Sequence, residues 1–148
     1  ITQLAEFHYY FQVSRDMLCI AGPDGYFKRV NPAFEKTLGW NQKALLARPF
    51  LEFVHPEDRE ETLKQMENLA RGIPTVSFEN RYEMAKGGHR ILQWTAHPDP
   101  DTNLIYAIAQ DVTEERAERN RAKEEINRLR TRLNAVMRED AHGDGDPS

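Results

Sequence analysis

MLCIAGPDGYFKRVNPAF, residues 17–34, decides how the rest of the chain is read. Met17-Leu18-Cys19-Ile20-Ala21 is apolar throughout and too short for a helix. Gly22-Pro23-Asp24-Gly25 then marks a tight turn, because Pro presets φ and Gly supplies positive φ. Tyr26 to Val30 reads as the second strand of a hairpin. Asn31-Pro32 opens a helix directly after it: Asn caps, and Pro at the first helical position loses no needed hydrogen bond. Phe34 and Leu38 face inward, and Gly39 ends that helix.

Further along, Asn41 opens another helical turn through Leu45 and Leu46, and Phe50 to Val54 forms an apolar patch. His55-Pro56-Glu57-Asp58-Arg59 begins the longest helix of the core, with acidic residues in the first turn where the dipole favours them. Its inward stripe is read as Leu63, Met66, Leu69 and Ala70. Gly72 and Pro74 close it. Three strands follow. Thr75 to Met84 alternates with Val76, Phe78, Asn80 and Tyr82 on one face; Lys86-Gly87-Gly88 is a hairpin turn. Arg90 to His97 puts Leu92, Trp94 and Ala96 together, and Asn103 to Gln110 is the last strand, with small Ala107 and Ala109 leaving room on one face.

The order is a hairpin, grouped helices, then a three-stranded meander. It predicts an α+β fold: a five-stranded antiparallel sheet with helices on one face. An amphipathic helix over 1–14, with Leu4, Phe7, His8 and Phe11 on one face, either caps the core or forms a dimer contact. Thr113 to about Arg138 is one unbroken helix. Val112, Glu115, Arg119, Ala122, Ile126, Leu129, Leu133 and Val136 keep strict three-four spacing along it. Residues 139–148 read as a flexible tail or linker.

Composition narrows the function classes. The 148 residues carry a net charge of −4, so there is no general pull toward nucleic acid. The arginines of the last helix alternate with glutamates and read as a solvated flank. A single cysteine, Cys19, excludes an internal disulfide and suits a reducing compartment. No run approaches the roughly 18 apolar residues of a transmembrane helix. The chain begins at Ile1 rather than Met, which fits a segment of a longer protein. There is no phosphate-binding Gly-rich loop, nucleophile elbow or His-Glu-x-x-His, and the five histidines are scattered, so no catalytic or metal residue is nominated. His55 is assigned to starting a helix.

Asp24-Gly25, Asn31-Pro32-Ala33-Phe34, Leu38-Gly39-Trp40 and His55-Pro56-Glu57-Asp58-Arg59 together resemble a PAS domain. The resemblance continues through Phe78-Glu79-Asn80-Arg81-Tyr82, Gly87-Gly88, Trp94 and Asp111-Val112-Thr113, and covers roughly residues 14 to 114. It implies a cytoplasmic sensory or dimerisation module of a bacterial signalling protein, most often a sensor histidine kinase, with diguanylate cyclases and phosphatases as other parents. The domain plan is then a cap helix (1–14), a PAS sensor domain (15–113), a coiled-coil signalling helix (114–138) and a tail (139–148).

The resemblance does not name a ligand. Flavin photoreceptor relatives carry a reactive cysteine where this chain has Ala47-Arg48-Pro49-Phe50-Leu51, and a flavin-facing glutamine where it has Ala109. Haem-binding relatives use a histidine of the long helix, and residues 57–71 contain none. No cofactor is therefore expected, with haem and flavin disfavoured.

A small-molecule pocket between sheet and helices would be walled by Phe34, Phe53, Phe78, Asn80, Leu92, Trp94 and Ala107. Asn80 binds a ligand, a water or the adjacent backbone, since a buried amide needs partners. Asp111, Val112, Thr113 and Glu114 form the signalling junction, with Asp111 and Glu114 matching a capping box. Ala122, Ile126, Leu129, Leu133 and Val136 form the seam of a parallel homodimer, ahead of an effector domain elsewhere in the parent chain. The rival expectation is a ligand-free dimerisation or protein-interaction domain. A polar-lined void near Asn80 and Trp94 would favour sensing, and dense packing there would favour the rival.

Overall fold

A computed structural model describes residues 2–144. Its elements are α1 (Thr2–Val13), β1 (Met17–Ala21), β2 (Phe27–Val30), α2 (Pro32–Leu38), α3 (Gln42–Ala47), α4 (Arg59–Ala70), β3 (Thr75–Glu83), β4 (His89–Pro98), β5 (Ile105–Asp111) and α5 (Thr113–Asp144). Two short 3-10 turns, Phe50–Phe53 and Pro56–Asp58, lie between α3 and α4. The strands make one antiparallel sheet in the order β2-β1-β5-β4-β3, so the first and last strands pair at its centre. The expected α+β fold is the observed one.

The opening stretch folds for the reasons its residues suggest. Gly25 takes φ 84°, a left-handed conformation that suits glycine. Asp24 Oδ1 accepts from the Tyr26 N–H at 3.2 Å and steadies the turn. Asn31 is fully buried, and its Oδ1 accepts from both Phe34 N–H (3.3 Å) and Leu18 N–H (2.9 Å). Its Nδ2 donates to the Asp16 carbonyl at 2.9 Å. One side chain thus caps α2 and ties it to the start of β1. Phe34, Leu38, Leu45, Phe53 and Leu92 then fill the space between helices and sheet.

Four expectations change. Val76 is 71% exposed, because the β3–β4 register shifts between Thr75 and Phe78. Three steps of β3 there oppose two of β4, and Ser77 takes φ 55°. This bulge turns Thr75 inward in place of Val76. On α4 the buried residues are Thr62 and Leu69, while Leu63 is 43% exposed and Ala70 is also exposed. The inward stripe is rotated because polar Thr62 finds partners inside. On α1 only Phe11 of the apolar residues is buried, under the Arg29 guanidinium at 4.3 Å; Leu4 and Phe7 are exposed. Finally, α5 runs on to Asp144 instead of ending near Arg138. Glu139, Asp140 and Ala141 supply no helix breaker. Residues 145–148 of the expected tail lie outside the described residues.

Contacts divide the chain into a unit of residues 1–112 and a second of residues 113–148. No helix among the described residues is long and apolar enough to cross a membrane.

Candidate functional site

Between the sheet and α4 lies a cavity of about 70 Å³. That is well below the roughly 300–1,000 Å³ of a drug-sized ligand site. Phe78, Asn80, Trp94 and Ala107 line it, as the alternation of β3, β4 and β5 predicts. Phe34, Phe53 and Leu92 do not: all three are packed in the core beyond the cavity. Their size fills space rather than bordering it. The residues missed by sequence reasoning are Thr62, Gln65, Met66 and Leu69 of α4, Thr75 beside the bulge, and small or aromatic groups including Cys19, Ala96 and Tyr82. An inward stripe on α4 allowing polar residues would have found Thr62 and Gln65 together.

The polar groups around the cavity are mostly engaged with one another. Trp94 Nε1 donates to Asn80 Oδ1 at 2.7 Å, and Asn80 Nδ2 donates to Thr62 Oγ1 at 3.1 Å. Thr62 Oγ1 donates in turn to the Asp58 carbonyl at 2.7 Å. The chain joins β4, β3 and α4 through side chains 8% exposed or less. Gln65 Oε1 accepts from Thr75 Oγ1 at 3.0 Å. The void near Asn80 and Trp94 is therefore walled mainly by carbon. Burial pushes the Cys19 thiol well above its usual pKa, so it stays protonated and is a poor nucleophile.

At the outer end of this network, Asp58 holds Arg81 through backbone and guanidinium. That pairing keeps the Asp58 carboxyl below its usual pKa, chiefly through the side-chain hydrogen bonds from Arg81. His55 Nδ1 accepts from the Glu57 N–H at 3.2 Å, so it starts the turn before α4 as expected. No cluster of three or more metal-binding side chains occurs among the described residues.

The cavity's far wall is the strand that ends the first unit. Ala107 borders the void and Ala109 is fully buried beside it. Asp111 closes β5 opposite Leu92, its Oδ2 3.4 Å from Arg90 Nε. Val112 is buried, donates its N–H to the Ile91 carbonyl at 2.9 Å, and is the only residue between β5 and α5. On α5, Ile126, Leu129, Leu133 and Val136 are all more than half exposed, and Ala122 is exposed as well.

The sequence pattern of the PAS fold family matches residues 11–117. The chain belongs to the PAS fold family. A PAS domain is a sensory, non-catalytic module, and here it is followed by a long C-terminal helix. Among curated proteins none matches. Among solved structures, the chain is similar to a domain of a sensory box sensor histidine kinase/response regulator from Geobacter sulfurreducens. The identity is 23% and the TM-score 0.67, over 74% of this chain and 94% of that one. It is also similar to the PAS domain of an HTR-like protein from Haloarcula marismortui, at 23% identity and TM-score 0.61, over 74% and 92% of the two chains. A third likeness is to the N-terminal domain of a diguanylate cyclase with PAS/PAC sensor from Marinobacter aquaeolei. There the identity is 18% and the TM-score 0.59, over 68% and 98%. At these identities the likeness is one of fold.

Proposed function

We propose that this PAS domain senses a small molecule in the cavity beside Asn80 and Trp94 and relays its occupancy through β5 into α5. The observation that carries the reading is the shared strand: Ala107 borders the void, and β5 reaches α5 with only Val112 between. No Gly or Pro stands at Asp111-Val112-Thr113-Glu114 to absorb motion. Asp111 and Glu114 serve as a capping box for the first turn of α5. The exposed heptad seam from Ala122 to Val136 pairs with that of a second copy in a parallel homodimer. The parent is a cytoplasmic bacterial sensor histidine kinase. A ligand that prefers one of two helix arrangements shifts their population by its differential affinity.

The satisfied Asn80–Trp94–Thr62 chain favours a second reading, a ligand-free dimerisation domain.

Spin labels at Arg130→Cys, with the buried Cys19 unlabelled, separate the two. Ala107→Val fills the void without touching α5. Under the sensing reading it changes the distance distribution between paired helices. A dimer whose distances stay the same supports the ligand-free reading, and a monomer removes both.

A further inference from the structure

One polar group of the cavity stands apart from the network. Tyr82 lines the void from β3 and is 2% exposed, and its hydroxyl takes no part in the chain of bonds among Trp94, Asn80 and Thr62. Its ring packs at 5.5 Å from that of Trp94. Burial raises its pKa, with the Cys19 thiol on the same wall adding to the effect, so the phenol is neutral and its O–H is a donor. A tyrosine O–H this deep in a protein ordinarily finds an acceptor, and an occupant of the void can supply one.

The other walls define the occupant's body. Ala21, Phe27, Leu69, Ala96 and Ile105 present carbon, and among the described residues no Lys, Arg, Asp or Glu lines the void. Removing a charge from water without a counter-charge is prohibitive, so the occupant is neutral. At about 70 Å³ the space holds two or three waters or roughly four heavy atoms. An access route is also present. Met66, Leu69 and Ile105 separate the void from an outer cleft of about 610 Å³ that they line on its other side. Met66 is unbranched and reorients at low cost.

Resting on the sensing reading above, we infer that Tyr82 is the cavity's recognition group. The occupant is a small neutral molecule with an apolar body and one acceptor oxygen, of the class of short ketones and alcohols. Asn80 is then a positioning residue, holding Trp94 and α4 around the void.

Acetone and isobutene have nearly the same shape and differ in that oxygen, so they test the inference directly. Methyl chemical shifts of Ala96 and Ala107 in the 148-residue chain report occupancy. Acetone is expected to shift both at lower concentration than isobutene. Tyr82→Phe should weaken acetone about tenfold, the equivalent of one neutral hydrogen bond, and leave isobutene unchanged. Ala107→Val, which fills the void, should abolish both responses. Equal affinity for the two probes in the unmodified chain overturns the role of Tyr82. The absence of any shift with either probe overturns the ligand class and leaves water as the occupant. Binding is read without reference to α5, so acetone bound with helix distances unchanged would refute the relay and not this inference.

Discussion

Asp58 accepts three hydrogen bonds from Arg81: one from its backbone N–H at 2.8 Å, one from Nε at 2.9 Å and one from Nη2 at 2.8 Å. The pair fastens the entrance of α4 to β3, and the carbonyl of the same Asp58 receives Thr62 from the cavity network. Asp58→Ala removes the three acceptor contacts while Glu57 still reaches Arg81 at 3.1 Å. The expected loss is about 1–2 kcal/mol, reduced from a fully buried charged pair because both side chains are about a quarter exposed. Urea denaturation of the two chains measures it, and an unchanged midpoint would remove the pair from the fold's supports.

The same pair makes stability depend on acid. The folded Asp58 carboxyl titrates below its unfolded value, which is near 3.9 for a free side chain. Its contribution is therefore complete above that unfolded value and fades as pH falls through the folded one. Melting temperature should fall below about pH 4 more steeply in the parent chain than in Asp58→Asn, whose amide does not titrate in this range. Parallel curves would assign the acid sensitivity to other carboxylates.

How far this site was legible depends on what each residue signals. Asn31-Pro32 announces α2 because capping is local, and the structure adds only that the same amide also reaches Asp16 and Leu18. Asn80 and Trp94 were placed correctly by strand alternation, which survives from Phe78 onward. Alternation failed one turn of the pleat earlier, since no feature of Val76-Ser77 marks a bulge. Thr62 was invisible for a different reason: an inward stripe sought among apolar residues passes over a threonine whose hydroxyl is satisfied by Asp58 and Asn80. Cavity walls are harder still. Phe34 and Leu92 are inward and apolar like Phe78, and only the packed backbone decides which of them borders empty space.

Asn80 can be tested apart from any ligand. Asn80→Ala leaves the buried Trp94 N–H without its acceptor and frees Thr62 of one donor. An orphaned buried donor costs about 1–3 kcal/mol, to which the small cavity adds. Replacing Trp94 by Phe in the same chain removes the orphan, so the double variant should lose less than the sum of the two single losses. Additive losses in a double-mutant cycle would show that the 2.7 Å contact is not an energetic coupling.

The junction at Asp111 joins two contributions. Its carboxylate faces Arg90 at 3.4 Å, and under the proposed capping role it would also accept from the first helical N–H groups of α5. Asp111→Ala should lower stability by roughly 1 kcal/mol and reduce helix content by circular dichroism, while Asp111→Asn, which still caps, should retain most of the helix. If both variants keep full helix content and melting temperature, the cap has no role and the ion pair contributes nothing measurable.

The heptad seam makes the last prediction. Ile126 and Leu133 are 53% and 58% exposed in the single chain, and they stand seven residues apart on one face of α5. A parallel partner would bury both as knobs in facing holes. Ile126→Asp with Leu133→Asp places two carboxylates in that seam, where paired copies would set like charges against each other in an apolar environment. Light scattering should show the mass fall from dimer toward monomer, with the greater change at low concentration. The PAS core does not depend on these side chains, so its melting transition and tryptophan fluorescence should persist. A doubly substituted chain that keeps its parent's dimeric mass would move the association elsewhere, to a surface such as the exposed Leu4 and Phe7 of α1.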